Sequence, residues 1–535
     1  MAVARLSRVT LEAPAGEIGT VLARVIGFGA FHPSRSAGMV QDIRILLLAS
    51  RAQSVNARAS ELLESEGRGR AASKKVERFE ARTVEDLVGG LEDYLEIIER
   101  NLSLFTEEDD VSGVVEVLAA VRDASSAVFR DLQRILVFPS RGGAVRFQGF
   151  VPTRSVGSFR ALVGGYLRAV EPVKTQTRES PYVPTLLVNP RVIAVFEDMT
   201  LQRGLPRYGQ VDPTPILAFV FPLFFGIMFG DIGHGLVLLV VGAYLVYRTP
   251  YPGWGKQILV LSSSAALFGF VRGSFFGLTF ASPLRSLVPL PPELSAGFTL
   301  SYIPFLLEVA IVVGAFHLAS GYAIAFINQE RSGNYIDAYL CRLPTVVLYA
   351  STVAFGFAVV GTDLRLDELF TSSAPTPLLD DLLGLRIPIS TTARIAFPTM
   401  LVTLALLVAG HPLGEYAATK SASRAVRALG SGLVDGLAKP FEFFVNTLSY
   451  MRLGVLLVTT TLLGSLVAGV MEQGVLGVII AALINVAVIG LEAVIVYIQD
   501  MRLQLYEWFS QFYVGSGTPF EPLVSKGALF SIAWV

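Results

Sequence analysis

Charge, cysteine and histidine are all scarce in this sequence. Only 16% of its 535 residues are charged, against about a quarter in an ordinary soluble domain. With 52% hydrophobic residues and a mean hydropathy of +0.57, a purely soluble protein is excluded, and so is a disordered one. The single cysteine, Cys341, allows neither an intrachain disulfide nor a thiolate metal cluster. Four histidines, His32, His234, His317 and His411, lie far apart along the chain and give little support to a histidine-rich metal site. Lys and Arg number 43 against 44 Asp and Glu, which leaves no basic excess for nucleic acid as a partner. No glycine-rich phosphate loop occurs, since the run Gly67-Arg-Gly-Arg70 is too short and too charged to be one. No cofactor is expected.

What charge there is sits at one end. Residues 1–207 hold 27 of the 43 basic and 25 of the 44 acidic residues. The chain therefore divides into an arm, 1–207, and an apolar membrane domain, 208–535. The first 20 residues lack a continuous apolar core behind a basic start, so no cleavable signal peptide is expected. Within the arm, 41–66, 72–104 and 111–137 read as helices. Leu87, Leu91, Tyr94, Leu95 and Ile98 recur at helical spacing. Gly142-Gly143 breaks the pattern, Val145–Val151 alternates like a strand, and a further helix is expected over 155–169. The arm is thus a helical hairpin beside a small α/β lobe, with no catalytic spacing in it.

Eight apolar segments follow: 214–230, 233–247, 257–277, 302–328, 343–361, 393–411, 437–470 and 474–512. Most reach the roughly 20 residues needed to cross hydrocarbon. The first two are short and flank Gly230-Asp-Ile-Gly-His-Gly235, which reads as a tight re-entrant turn. Basic residues fill the loops at 248–256, 329–342 and 412–439, whereas 362–392 is rich in Asp and Glu. By the positive-inside rule this alternation fits eight crossings with both termini in the cytosol. The fold class expected is an all-α polytopic membrane protein of about eight transmembrane helices, with an N-terminal cytosolic α/β and helical-hairpin domain. His411-Pro412 is expected to end a helix.

The last two segments carry unusual polarity. Glu442, Asn446, Ser449 and Arg452 share an arc of about 120° on one helix at 100° per residue. Asn485, Glu492, Gln499 and Arg502 share about 100° on the next. Charged groups at mid-membrane are costly and are functional candidates by default. Arg452 lies about 20 Å beyond Lys439 along its helix. Arg502 lies about 42 Å into its segment, so an upright helix would make it a cytosolic anchor and only strong tilt brings it to mid-depth. With the first helix running outward, Glu442 approaches Arg452 from the cytosol. With the second running inward, Glu492 approaches Arg502 from outside. Two acidic approaches separated by cations form an offset path for a cation.

These residues carry a resemblance. Asn189-Pro-Arg191, Gly204-Leu-Pro-Arg-Tyr-Gly209 and Asp212-Pro-Thr-Pro215, then Phe221-Pro-Leu-Phe-Phe-Gly-Ile-Met-Phe-Gly-Asp-Ile-Gly-His-Gly235, resemble the membrane entry and first hairpin of the stator subunit (subunit I or a) of V/A-type rotary ATPases. Ser449-Tyr-Met-Arg-Leu453, Met501-Arg-Leu503 and Phe512-Tyr-Val-Gly-Ser-Gly517 resemble its last two long, tilted helices and tail. The resemblance is strong over 185–535, and the arm agrees in architecture. It implies a subunit without its own nucleotide site, in the plasma membrane of a prokaryote. Implied partners are a proteolipid c/K ring, peripheral-stalk E/G subunits, a central-stalk C/d subunit, the ATPase head reached through the stalks, and the lipid bilayer. Arg452 would force a ring carboxylate to ionise and block direct leakage, with Arg502 the second arginine of the pair. Glu442 and Asn446 would line the cytosolic half-channel and Glu492 the external one. Ser449 and Gln499 join these on helix geometry alone. Residues 454–470 lack the histidine the family often has there and offer Thr459-Thr-Thr461 instead.

Two other classes compete. A secondary transporter should show internal repeats, and the two long helices have no counterpart in 208–411. A membrane scaffold should place its polar stripes near the interface, unlike Arg452. Among the remaining polar residues, Asp231 and His234 are read as turn-fixing groups, Arg272 as paired within the bundle, and Glu308 and His317 as facing protein. The central expectation is that the Arg452 guanidinium is dry and unpaired by any carboxylate of its own chain.

Overall fold

The computed structural model describes residues 3–34, 43–65, 84–102, 112–133, 138–139, 144–174, 183–280, 303–376, 380 and 386–523. They form two compact units, one of Val3–Leu187 with the stretch from Ser516 onward, the other of Val188–Gly515.

The first unit is a sheet with a helical bundle. Strand β1 (Leu6–Pro14) is followed by helix α1 (Ile18–Phe28) and β2 (His32–Pro33). Helices α2 (Ile43–Ser65), α3 (Val84–Leu102) and α4 (Ser112–Gln133) come next, then β3 (Phe138–Pro139), β4 (Ala144–Pro152), α5 (Val156–Val163) and β5 (Leu167–Pro172). The sheet order is β2-β4-β1-β5, with β3 also on β4, and its pairs are antiparallel. Strand alternation buries Val9, Leu11 and Ala13 on one face of β1, where α1 lays Val21, Leu22, Val25 and Ile26 against them. The hairpin expected from spacing is present. Leu87, Leu91, Leu95 and Ile98 of α3 are buried, but Tyr94 is 40% exposed because its position turns off the apolar stripe. Residues 72–83 of the expected second helix lie outside the described residues. The helix expected over 155–169 is cut short. Gly164 at φ +60° ends it, and the chain turns into β5, whose pairing to β1 outweighs helical propensity.

This unit also holds the tail of the chain. Strand β6 (Pro184–Thr185) pairs in parallel with β9 (Thr518–Pro519). The Leu523 amide donates to the Phe31 carbonyl at 3.1 Å, and its side chain, 1% exposed, is part of the unit's core.

The second unit is helical. After short turns α6 (Arg191–Ala194) and α7 (Glu197–Leu201), α8 spans Thr214–Phe229 and α9 Ile232–Arg248. Asp212 opens α8 by accepting from the Thr214 amide (2.9 Å) and hydroxyl (2.6 Å). Nearby, outside the spans, burial together with the Asp212 charge pushes the Tyr513 hydroxyl above its ordinary pKa. Helices α8 and α9, of 16 and 17 residues, are shorter than the roughly 20 residues that hydrocarbon demands. Gly230-Asp231 is all that separates them, as a tight turn requires. Helix α10 (Pro252–Arg272) packs against α9 so closely that a Cβ on Gly269 would stand 2.4 Å from the Ile232 amide. The hairpin β7 (Ser274–Phe275) and β8 (Leu278–Thr279) follows.

Helices α11 (Ile303–Arg331), α12 (Tyr335–Asp337), α13 (Leu343–Val360), α14 (Ile389–Thr419), α15 (Ala422–Ser449), α16 (Met451–Met471) and α17 (Val475–Arg502) complete the unit. Among the described residues, six stretches are long and apolar enough to cross a membrane: Pro252–Arg272, Leu306–Arg331, Tyr335–Val360, Ile389–Ala417, Ala422–Met471 and Val475–Gln511. The protein is a multi-pass membrane protein. Three local expectations need correction. Pro412 does not end a helix but lies inside α14, which runs on to Thr419. Segment 437–470 is two helices that meet at Tyr450, a fully buried residue whose hydroxyl bonds His317 Nδ1 at 2.8 Å. Segment 474–512 is not one α-helix, because Leu503–Trp508 winds as a π-helix.

Candidate functional site

The two singled-out arginines come together, through a residue that sequence reasoning missed. Arg452 is the second residue of α16, just past the break at Tyr450. Its Nη1 donates to Glu507 Oε1 at 3.2 Å. Arg502, the last residue of α17, stands with Nε 3.8 Å from the same oxygen, an ion pair beyond hydrogen-bond distance. The three side chains differ in exposure: 27% for Arg452, 54% for Arg502 and 7% for Glu507. Glu507 Oε2 is buried with no hydrogen-bond partner among the described residues. The expectation that Arg452 is unpaired by its own chain is therefore wrong. On a straight α-helix, Glu507 would sit about 140° around from Arg502. The π-turn at Leu503–Trp508 rotates it inward, and such insertions are frequent at functional sites. Only the packing of Trp508, stacked on His317 at 4.8 Å and bonded through Nε1 to Ser320 Oγ at 3.0 Å, reveals the turn.

Val445, Asn446, Ser449, Arg502, Tyr506 and Glu507 line a partly open pocket of about 470 Å³. Asn446 and Ser449 of one stripe thus meet Arg502 of the other, with Arg452 joined to them by Glu507. Glu442 is not in the pocket lining. It pairs with Lys439 Nζ at 2.7 Å, one turn before Asn446. Gln499 is also outside the lining, its Oε1 buried and unbonded among the described residues. Beside it Asp500, fully buried, accepts from Gln504 Nε2 at 3.3 Å. A carboxylate two residues before Arg502 in an apolar run was the available signal for it.

Glu492 belongs to a second polar cluster. The Thr460 hydroxyl donates to its Oε1 and also lies 2.9 Å from the Met228 carbonyl. Glu492 Oε2 is buried and unbonded among the described residues. The ionisable groups that surround it are Asp231, His234 and Arg272. Asp231 does fix a turn: it accepts from the amides of His234 (3.1 Å), Phe276 (2.9 Å) and Gly277 (3.0 Å) and from Ser274 Oγ (2.6 Å). The His234 ring does something else, since Nε2 lies 2.9 Å from Asn485 Oδ1 on α17. Arg272 Nη1 is buried without a hydrogen-bond partner among the described residues, held in the field of Asp231 and Glu492. Thr460 stands in the stretch that lacks a histidine, so a hydroxyl is the donor that α16 offers Glu492.

Residues 36–254 match the V-type ATPase 116kDa subunit family. The matches run further along the chain among individual proteins named A-type ATP synthase subunit I. The protein of Pyrococcus abyssi is 30% identical over 377 residues, covering 68% of this chain and 50% of that one. The chain belongs to the V-type ATPase 116kDa subunit family. Other members are the proteins of Aeropyrum pernix, 25% identical over 441 residues (76% of this chain, 61% of that one), and of Methanocaldococcus jannaschii, 27% identical over 498 residues (83% and 65%). The chain spans about half to two thirds of the length of these relatives.

Proposed function

We propose that this chain is the ion-translocating stator subunit of a rotary A/V-type ATP synthase, without catalytic activity of its own. One observation carries the proposal: two guanidinium groups from two membrane helices converge on a single carboxylate at an open pocket. Two cations with one resident anion leave one positive charge for a carboxylate presented from outside. An opposite charge within about 4–6 Å lowers a carboxylate pKa by about 1–3 units. A rotor carboxylate passing the pocket is therefore driven to ionise, while lipid elsewhere favours its neutral form.

In this reading the foreign carboxylate belongs to a proteolipid ring. Asn446, Ser449 and Glu442 line the cytosolic approach. Glu492, supported by Thr460, with Gln499 lines the external one. The arginine pair between them prevents a straight pore, so ion flow requires rotation. The arm meets the peripheral and central stalks that lead to the catalytic head. The topology we propose has eight crossings, from the six long helices plus the short pair α8 and α9. Pairing of β9 with β6, and the seating of Leu523 in the N-terminal core, support an even number. Both ends then lie on one face, the cytosolic one by loop charge.

The test is ATP-driven acidification of inverted membrane vesicles. Arg452→Ala abolishes it while the chain remains in the membrane, and Arg502→Ala reduces it less completely. Near-normal pumping by Arg452→Ala refutes the assignment.

A further inference from the structure

Glu507 is the one carboxylate within ion-pair distance of either arginine among the described residues. It is nearly dry, yet half of its hydrogen-bonding capacity is unused, because Oε2 has no partner there. Its hold on the two cations is unequal. Arg452 donates a hydrogen bond to it, whereas Arg502 lies beyond that distance and is twice as exposed. The ionisable groups around it are Arg452 at the start of α16, Arg502 at the end of α17, Tyr450 at the break and Tyr506 on the π-turn, with His317 of α11 behind Tyr450.

We propose that Glu507 is a positioning residue, a resident counter-ion that pins Arg452 at the pocket and leaves the outer donors of Arg502 open to a visiting carboxylate. The inference rests on the stator reading for the identity of that visitor, but the pinning itself does not depend on it. Two guanidinium groups at one pocket repel each other, and a buried carboxylate between them is what lets both stay. Arg452, held by a charge-assisted hydrogen bond, keeps its place between visits. The weaker contact leaves Arg502 the first to be engaged.

Charge and packing roles make opposite predictions for two variants. Glu507→Gln keeps the volume and removes the charge. Glu507→Asp keeps the charge and shortens the side chain. A counter-ion role predicts that Glu507→Gln loses coupled pumping by about tenfold or more, the scale of a lost charge-assisted hydrogen bond, while Glu507→Asp retains most of it. A packing role predicts the reverse order. A second measurement reads the pinning directly, as the rate at which phenylglyoxal modifies Arg452 in the purified full-length chain in detergent, located by peptide mass. It should rise several-fold in Glu507→Gln and stay near wild type in Glu507→Asp.

Wild-type pumping by Glu507→Gln, or a worse defect in Glu507→Asp than in Glu507→Gln, overturns the proposal. If Glu507→Gln does not assemble into a complex, the labelling rate decides, and an unchanged rate at Arg452 overturns it. If instead Arg452→Ala pumps normally, the stator reading fails, while faster labelling in Glu507→Gln still supports the pinning.

Discussion

Replacing Gly314 with alanine tests whether packing behind the arginine sets its position. Gly314 lies in α11 opposite Tyr450, the residue at which α15 and α16 meet. A Cβ at 314 would stand 2.2 Å from Tyr450 Cγ and 2.4 Å from its Cβ, against ordinary carbon contacts of about 3.5–4.0 Å. The ring must therefore move by more than about 1 Å. Tyr450 is fully buried and its hydroxyl bonds His317, so it has nowhere to go without losing that bond. Overpacking of this kind costs about 1–3 kcal/mol, and a lost intramembrane hydrogen bond adds about 0.6 kcal/mol, at most about 1.7. The expected destabilisation is about 2–4 kcal/mol. Arg452 is two residues away, so coupled pumping should fall as well. Thermal unfolding of the detergent-solubilised chain measures the first effect and vesicle acidification the second. Tyr450→Phe, which keeps the ring and loses only the hydroxyl, should cost no more than the hydrogen bond. On a Tyr450→Gly background, which removes both the ring and the Cβ that the new methyl would meet, Gly314→Ala should cost almost nothing. If the two substitutions instead add within about 0.5 kcal/mol, the clash is not the cause and the reasoning fails.

Two more predictions concern other regions. Leu523→Ala opens a cavity in the N-terminal unit and should cost about 2–5 kcal/mol there. Limited proteolysis of the full chain should then cut within that unit at least tenfold faster, and an unchanged rate would show that the tail is not seated in this core. Thr460→Val removes the hydroxyl that serves Glu492 while keeping the shape. We expect pumping to drop several-fold, with Thr460→Ser close to wild type, and equal pumping by all three chains would show that Glu492 does not depend on this donor.

Much of the architecture was legible because it depends on periodicity and composition. The period-2 run at 145–151, the helical spacing of Leu87, Leu91 and Leu95, and the long apolar segments each report a local burial pattern. The two polar stripes were legible for the same reason, Asn446 and Ser449 on one helix and Arg502 on another, and the structure brings those three residues to one pocket. Three features were not legible, for a common cause. Pro412 reads as a helix end but is accommodated inside α14. Tyr450 has no breaking tendency, yet the segment that reads as continuous divides there, at a residue bonded to His317. Glu507 reads as lying on another face from Arg502 until a π-turn, packed by Trp508, brings it round.

Local pattern alone therefore determined which segments are helices, which of them are apolar enough for a membrane, and that two consecutive segments near the C-terminus carry cations. A periodic stripe is written residue by residue and needs no partner to be read. Tertiary structure alone decided that those two cations share one anion. That outcome depends on where a helix breaks and where another widens by one residue, and both are set by side chains such as His317 and Trp508 that meet across more than a hundred positions of chain.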